Sequence, residues 1–464
     1  MADELTDETV NLPISSLAEA LKTRKLSAVE LCTSIIELID TYNPKLNAYV
    51  YFDPDYVLEQ AKNSDKRISK QHAGPLEGIP IGLKDNIDCA GMPTRAGTII
   101  LSDKPINRDA KVVEQLKSMG AIIIGKHNMH ELAFGASTIN PHYGATKNPW
   151  DSTKIAGGSS GGSASAVAAR LACAALATDT AGSIRNPAAL CGCFGIKPTR
   201  GLIPIDGVVP LTKSLCHVGL ITRWVEDAQL LFYLLLGNSV KFSYNPKHVL
   251  TRFDQVSLLI PTNHFFDPIA DSVKLMFDDF VSSLASKGAQ VRYAPLPMVE
   301  AAYAANLTIM VAEATYLYRN IVQQHADKLG EDVRVNLRTG SLVTAVDLLK
   351  AYEIRELVKS AWAEIFREYD FVITPTLPGI APSIDEPAFA YNKASELISL
   401  ATVRMLGPYN VAGIPAATIP IGFINGLPVG IQIAAAWGME MSIFDFTKLI
   451  ENEGIYNPNI TPRI

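Results

Sequence analysis

Apolar residues along this chain alternate between a helical spacing and short continuous runs. Val29, Cys32, Ile35, Ile36 and Ile39 share one helical face. Ser27-Ala28-Val29-Glu30 before them reads as a capping box, and Asn43-Pro44 predicts the helix end. Residues 109–119 repeat the helical spacing, Gly120 marks the stop, and Ala121-Ile122-Ile123-Ile124 reads as a buried strand. The same grammar returns at 268–287, with Gly288 as the stop and a strand from Ala289 to Tyr293. Val256 to Ile260 and Phe371-Val372-Ile373 read as further buried strands. Asn425-Gly426 predicts a hairpin turn between two apolar runs, 419–423 and 427–433. Helices alternating with strands, together with a hairpin, predict an α/β layered fold whose sheet mixes parallel and antiparallel pairs. With no internal repeat and no Gly/Ser linker, residues 1–464 are expected to form a single domain.

Composition sharpens this picture. Hydrophobic residues make up 48% and charged ones 19%, below the ~25% average, which suits one large core. A net charge of −6 with no basic block gives no nucleic-acid surface. Six cysteines at 32, 89, 173, 191, 193 and 216 are too sparse for a disulfide scaffold, so a reducing, cytoplasmic compartment is expected. Cys191-Gly192-Cys193 has no Cys/His cluster to complete a metal site, and no metal or cofactor is expected. The acidic start Met1-Ala2-Asp3-Glu4 lacks a signal-peptide pattern. No apolar run approaches ~18 residues, so no membrane partner is expected. The longest small-residue stretch, Ala164 to Ala177, is interrupted by Arg170 and reads as a buried helix.

The candidate chemistry lies in Gly157-Gly158-Ser159-Ser160-Gly161-Gly162-Ser163 and Asp179-Thr180-Ala181-Gly182-Ser183-Ile184-Arg185. Glycine before each of Ser159 and Ser183 lets the backbone bend and leaves the hydroxyl reachable. A hydroxyl needs a base, and no histidine lies in or beside these segments. Lys84 ends the apolar run Gly78-Ile79-Pro80-Ile81-Gly82-Leu83. An ordinary lysine, with pKa ~10.4, is no base at neutral pH. One desolvated at the end of a buried strand is matched to that task. Thr180, Ala181, Gly182 and Ser183 offer consecutive backbone N–H groups for an oxyanion. A short helix over 184–190 with Pro187 in its first turn points its positive end the same way. Gly158-Ser159-Ser160-Gly161-Gly162 also matches the G-x-S-x-G elbow. That mechanism needs a late histidine, and the last one is His325. Ser160 is therefore read as a supporting donor. Asp179 is read as holding backbone N–H groups, and Arg185 as pairing with a nearby carboxylate. His127 and His130 are read as ordinary polar positions.

Together the Lys84 segment, Gly157 to Ser163 and Thr178 to Arg185 resemble the amidase signature family of serine hydrolases. The resemblance covers most of the chain and is weakest over about 300–365, read as a more variable helical region at the substrate pocket. It implies one large mixed β-sheet flanked by helices on both faces. It also implies Ser183 as the acylated nucleophile, Ser159 as the bridging serine, Lys84 as the base, and a cis peptide between Gly158 and Ser159. Ala181 and Ala177 stand where the family usually has glycine, and a positive φ at 181 would strain the turn. Residues 128–135 and 260–266 look most like the indoleacetamide and mandelamide hydrolases. The implied substrate is a small aromatic or hydrophobic amide; since a carbamate presents the same carbonyl with an alkoxy group, a carbamate or urethane hydrolase is a first alternative. Met129, Phe134 and Tyr316 are the candidate pocket residues, and the chain is expected to act as a monomer or homodimer. The motif is shared with the glutaminase subunit of the tRNA-dependent amidotransferase, which stands as a further alternative.

Overall fold

The computed structural model describes residues 10–237, 250–391, 394–462 and 464. Eleven strands among these form one mixed sheet. In chain order they are β1 (Tyr49–Tyr51), β2 (Pro80–Lys84), β3 (Ile122–His127), β4 (Ala174–Asp179), β5 (Phe194–Lys197), β6 (His217–Thr222), β7 (Ser257–Pro261), β8 (Gln290–Ala294), β9 (Phe371–Pro375), β10 (Ala416–Ile424) and β11 (Leu427–Ala434). Their order across the sheet is β1-β3-β2-β4-β6-β5-β10-β11-β9-β7-β8. β2 runs parallel to both its neighbours, pairing Leu83 with Lys126 of β3 and with Leu176 of β4. The middle of the sheet is antiparallel and includes the β10–β11 hairpin, which turns at Asn425-Gly426 as expected.

Period-two alternation divides the core between two faces. Leu258 and Ile260, or Ala174 and Leu176, join one cluster with Leu31, Phe232, Phe277 and Phe444. These come from the helices Ala28–Leu46, Val225–Leu236, Asp271–Ser286 and Glu440–Asn452. Leu259 and, on β4, Ala175 and Ala177 point the other way. That second face is covered by α1 (Gly161–Ala168), α2 (Arg185–Cys191), α3 (Val299–His325), α4 (Glu331–Gly340), α5 (Ala345–Glu368) and α6 (Ile398–Ala412). No helix among the described residues is long and apolar enough to cross a membrane.

Two sequence expectations are corrected. The helix capped by Ser27 does not stop at Asn43-Pro44 but runs through Pro44 to Leu46, closed by Asn47 at φ 52°. The Asn43 side chain reaches past this end and accepts from the Ala48 and Tyr49 amides. Residues 164–177 are not one helix. α1 ends at Ala168, Arg170 turns the chain at φ 64°, and Ala174 onward is β4, buried between β2 and β6. Alanine-rich apolar runs carry no periodicity that separates helix from strand, and the neighbouring strands decide.

At Gly82 the sheet meets the next layer with no room to spare. A Cβ there would lie 2.0 Å from Cε1 of His127. That ring is fully buried, bonded to Ser163 Oγ at 3.2 Å and packed edge-on to Tyr49 at 4.5 Å. Gly82→Ala is expected to cost about 1–3 kcal/mol, read as a lower urea midpoint at unchanged m. An unchanged midpoint would show that the ring steps aside.

Candidate active site

Lys84 is the last residue of β2 and is fully buried. Its Nζ lies 2.7 Å from Ser159 Oγ, 2.9 Å from Thr178 Oγ1 and 3.4 Å from the Thr178 carbonyl. No carboxylate is among these partners. Burial pulls its pKa down to about 7, with the Cys216 thiol and the Asp179 carboxylate opposing. Asn86 donates to Thr178 Oγ1 at 3.2 Å and to the Val209 carbonyl at 3.0 Å, which fixes the threonine beside the amine.

Ser159 enters on a loop that leads into α1. Gly157 sits at φ 78°, and the Gly158–Ser159 peptide is cis, as the resemblance implied. The Gly158 carbonyl accepts from Asn186 Nδ2 at 3.1 Å. The same amide donates to the Ala136 carbonyl and to Thr402 Oγ1, at 2.9 and 3.0 Å. One side chain thus ties together the serine loop, the 133–137 segment and α6. Ser160 Oγ donates to the Thr178 carbonyl at 3.3 Å.

β4 ends at Asp179, and the turn to α2 carries Ser183. The Asp179 carboxylate accepts from the Gly182 amide at 2.8 Å and the Ile184 amide at 3.2 Å. It also accepts from Arg185 at 3.0 and 3.1 Å and from Asn410 Nδ2 at 2.8 Å. Burial alone would raise this carboxyl. The Arg185 guanidinium outweighs it and holds the group well below the usual carboxylate range. Glycine is required at 182, where φ is 118° and a Cβ would meet Leu406 Cδ1 at 2.5 Å. Ala181 is not among the residues at positive φ, so the strain expected there does not arise.

Ser183 is partly exposed on a cavity of about 110 Å³. Thr180, Ala181 and Phe134 line it, with Leu307 and Met310 from α3, Asn336 from α4 and Leu400 from α6. Ser159 is fully buried behind it, bonded to Lys84, and no hydrogen bond joins it to Ser183 among the described residues.

Three expectations need correction. The Gly182 N–H is committed to Asp179, so it leaves the set of oxyanion donors. Met129 is fully buried, its carbonyl accepting from Asn140 at 2.8 Å, and does not reach the cavity. Tyr316 is 65% exposed on another flank of α3. Asn186 and Asn410 were missed, since a buried amide leaves no periodic trace. The one available cue for Asn186 was its place directly after Arg185 in the motif. His127 and His130 pair with Ser163 Oγ and Asp332. Among the described residues no three His, Cys, Asp or Glu side chains gather as a metal site.

Comparison with known proteins supplies a family. The amidase family model matches residues 30–444. A glutamyl-tRNA(Gln) amidotransferase subunit of Coxiella burnetii is 34% identical, over 95% of this chain and 97% of its own length. The corresponding subunit of Thermoanaerobacter pseudethanolicus is likewise 34% identical, over 97% and 98%. Among solved structures, an amidase superposes with a TM-score of 0.89 at 29% identity, over 95% of this chain and all of that one. The same amidotransferase subunit from Thermotoga maritima superposes with 0.80 at 30% identity, over 98% and 97%. The family match, spanning all eleven strands of the sheet and every residue of the Lys84–Ser159–Ser183 site, places this chain in the amidase signature family of C–N hydrolases.

Proposed function

We propose that the chain hydrolyses the C–N bond of a small hydrophobic amide through an acyl-enzyme on Ser183. Neutral Lys84 takes the Ser159 proton across their 2.7 Å contact, and Ser159 takes that of Ser183 as the latter attacks the carbonyl. The amides of Thr180, Ala181 and Ser183 are the proposed donors to the tetrahedral oxyanion. The relay then runs backwards to protonate the leaving amine, and water releases the acid.

One observation carries the substrate class: among the described residues that line the cavity beside Ser183, none is charged. Glutamine would bring an ammonium and a carboxylate there, and burying either without a counter-charge is costly. The second reading, a glutaminase subunit of an amidotransferase complex, is supported by the 34% identity to amidotransferase chains.

The isolated chain is expected to cleave phenylacetamide, indoleacetamide or an anilide in preference to glutamine, with an aryl carbamate in the panel because it presents the same carbonyl. Ammonia release from glutamine only with a second protein of such a complex would reverse this order. Ser183→Ala is expected to lower kcat more than about 10⁴-fold and to prevent labelling by a fluorophosphonate.

The active form of Lys84 is the deprotonated one. With its pKa near 7, log kcat/KM is expected to rise by about one per pH unit below that value and to level above it. Lys84→Met is expected to abolish this limb, and a wild-type profile flat down to about pH 5 would remove Lys84 from the role. Asp179→Asn leaves Arg185 buried without its counter-charge. It is expected to cost about 3–5 kcal/mol in denaturant unfolding, and full stability would show that the turn is held by other contacts.

A further inference from the structure

His130 lies where the serine loop, the cavity wall and α4 meet. Its backbone amide donates to the Ser159 carbonyl at 3.0 Å. Its buried ring lies against the Gly135 backbone, where a Cβ would come within 2.2 Å of Cε1 and Nε2. Gly135 itself lines the cavity beside Ser183. On its far side the ring meets Asp332 of α4, Nε2 donating to Oδ2 at 2.8 Å. This is the ring's one hydrogen bond among the described residues, since Nδ1 is buried without a partner.

The next residue repeats the connection. Glu131 is fully buried, and its Oε2 accepts from the Gly330 amide at 2.7 Å, just before α4 begins. Asn336, one turn beyond Asp332, stands in the wall of the cavity on which Ser183 opens. Burial would raise the Asp332 carboxyl, but the bond from His130 outweighs it and holds the group below its ordinary range. The acceptor is therefore a carboxylate at neutral pH, and a hydrogen bond to an ionised group is the stronger kind.

We propose that the His130–Asp332 pair is a positioning device for the substrate: it sets α4, and with it Asn336, against the serine loop, so that the acyl group meets a fixed wall. The backbone amide of His130 holds Ser159 whatever side chain it carries. The pair therefore acts on substrate binding and leaves the Lys84–Ser159 contact alone. This rests on amide hydrolysis at Ser183 as proposed above, but not on which amide is taken.

The test is steady-state kinetics of the full chain on whichever amide of the panel it cleaves best, glutamine included. Asp332→Ala and His130→Phe each remove the bond, and phenylalanine keeps a ring against Gly135. Each is expected to raise KM about tenfold with kcat within about twofold, the mark of lost ground-state binding. Asp332 is 56% exposed, so its variant decides the matter alone if His130→Phe does not fold. Asp332→Asn keeps an oxygen that can accept from Nε2 and is expected to return KM to within about threefold of the wild type. The double variant is expected to be no worse than the poorer single one, as for two halves of one contact. Hydrogen exchange of the 331–340 amides, expected to quicken at least about threefold in both single variants, reads the hold on α4 without substrate. An unchanged KM, a loss confined to kcat, multiplied effects in the double variant or unchanged exchange would overturn the proposal. A wild type that cleaves no amide of the panel would overturn the activity proposed above instead, and exchange would then decide whether the pair holds α4.

Discussion

The site depends on an amine held out of water with no carboxylate in contact. Lys84 meets two hydroxyls and a carbonyl, none of which favours the charged form as an ion pair would, so desolvation dominates. The chain contains its own controls. Lys126 is equally buried, and burial lowers its pKa as well, against the opposing charge of Asp85 3.8 Å away; its amine serves the Pro93 carbonyl. Lys197 is pulled to about 7 by burial and then by Arg185. Yet its amine serves the carbonyls of Pro198 and Ile414 and meets His217 Nε2 at 3.4 Å, with no serine hydroxyl among its hydrogen-bond partners in the described residues. A lowered pKa is thus not itself a site. Lys84 differs because its neighbour is a serine hydroxyl behind an open cavity.

The fold delivers these groups by a simple device. β2 and β4 are parallel neighbours, so Lys84 and Asp179 end their strands on the same edge of the sheet, where α/β folds place their chemistry. The turn after β4 is held by Asp179, and Asp179 is held by Arg185 and Asn410. Arg185 in turn donates to Gln432 of β11 and to the Leu406 carbonyl of α6. A charge pair this deep adds little net stability. Its effect is to lock β4, α2, α6 and β11 around one backbone turn, which keeps Ser183 at the cavity wall.

Much of this was legible in the sequence because it is local. Glycine next to serine, an apolar run ending in lysine and Asn-Gly between two strands each state their geometry within a few residues. What was not legible depends on distant partners. Whether 164–177 is helix or strand is set by β2 and β6, not by its alanines. Tyr316 reads from the sequence as pocket wall, yet it is Met310 of the same helix that lines the cavity. Six residues along a helix rotate about 600°, which leaves the two about 120° apart around the axis, and of the two Met310 is the one that lines the cavity at Ser183. Position 181 carried the expected strain by analogy, whereas contact with Leu406 puts the requirement for glycine at 182.

The groups around Lys84 and the walls of the cavity come from different parts of the fold. The proposed proton relay rests on β2, β4 and the loop into α1. The walls facing the acyl group come largely from α3, α4 and α6, and α3 and α4 fall within the region where the family resemblance is weakest. Changing Leu307, Met310 or Asn336 alters what fits without touching the hydrogen bonds around Lys84. Asn186 marks the limit of that freedom, since it binds both the Gly158 carbonyl and Thr402 of α6. The helix wall can vary in its side chains, but at Thr402 it remains tied to the serine loop, so specificity can drift while the catalytic frame stays in register.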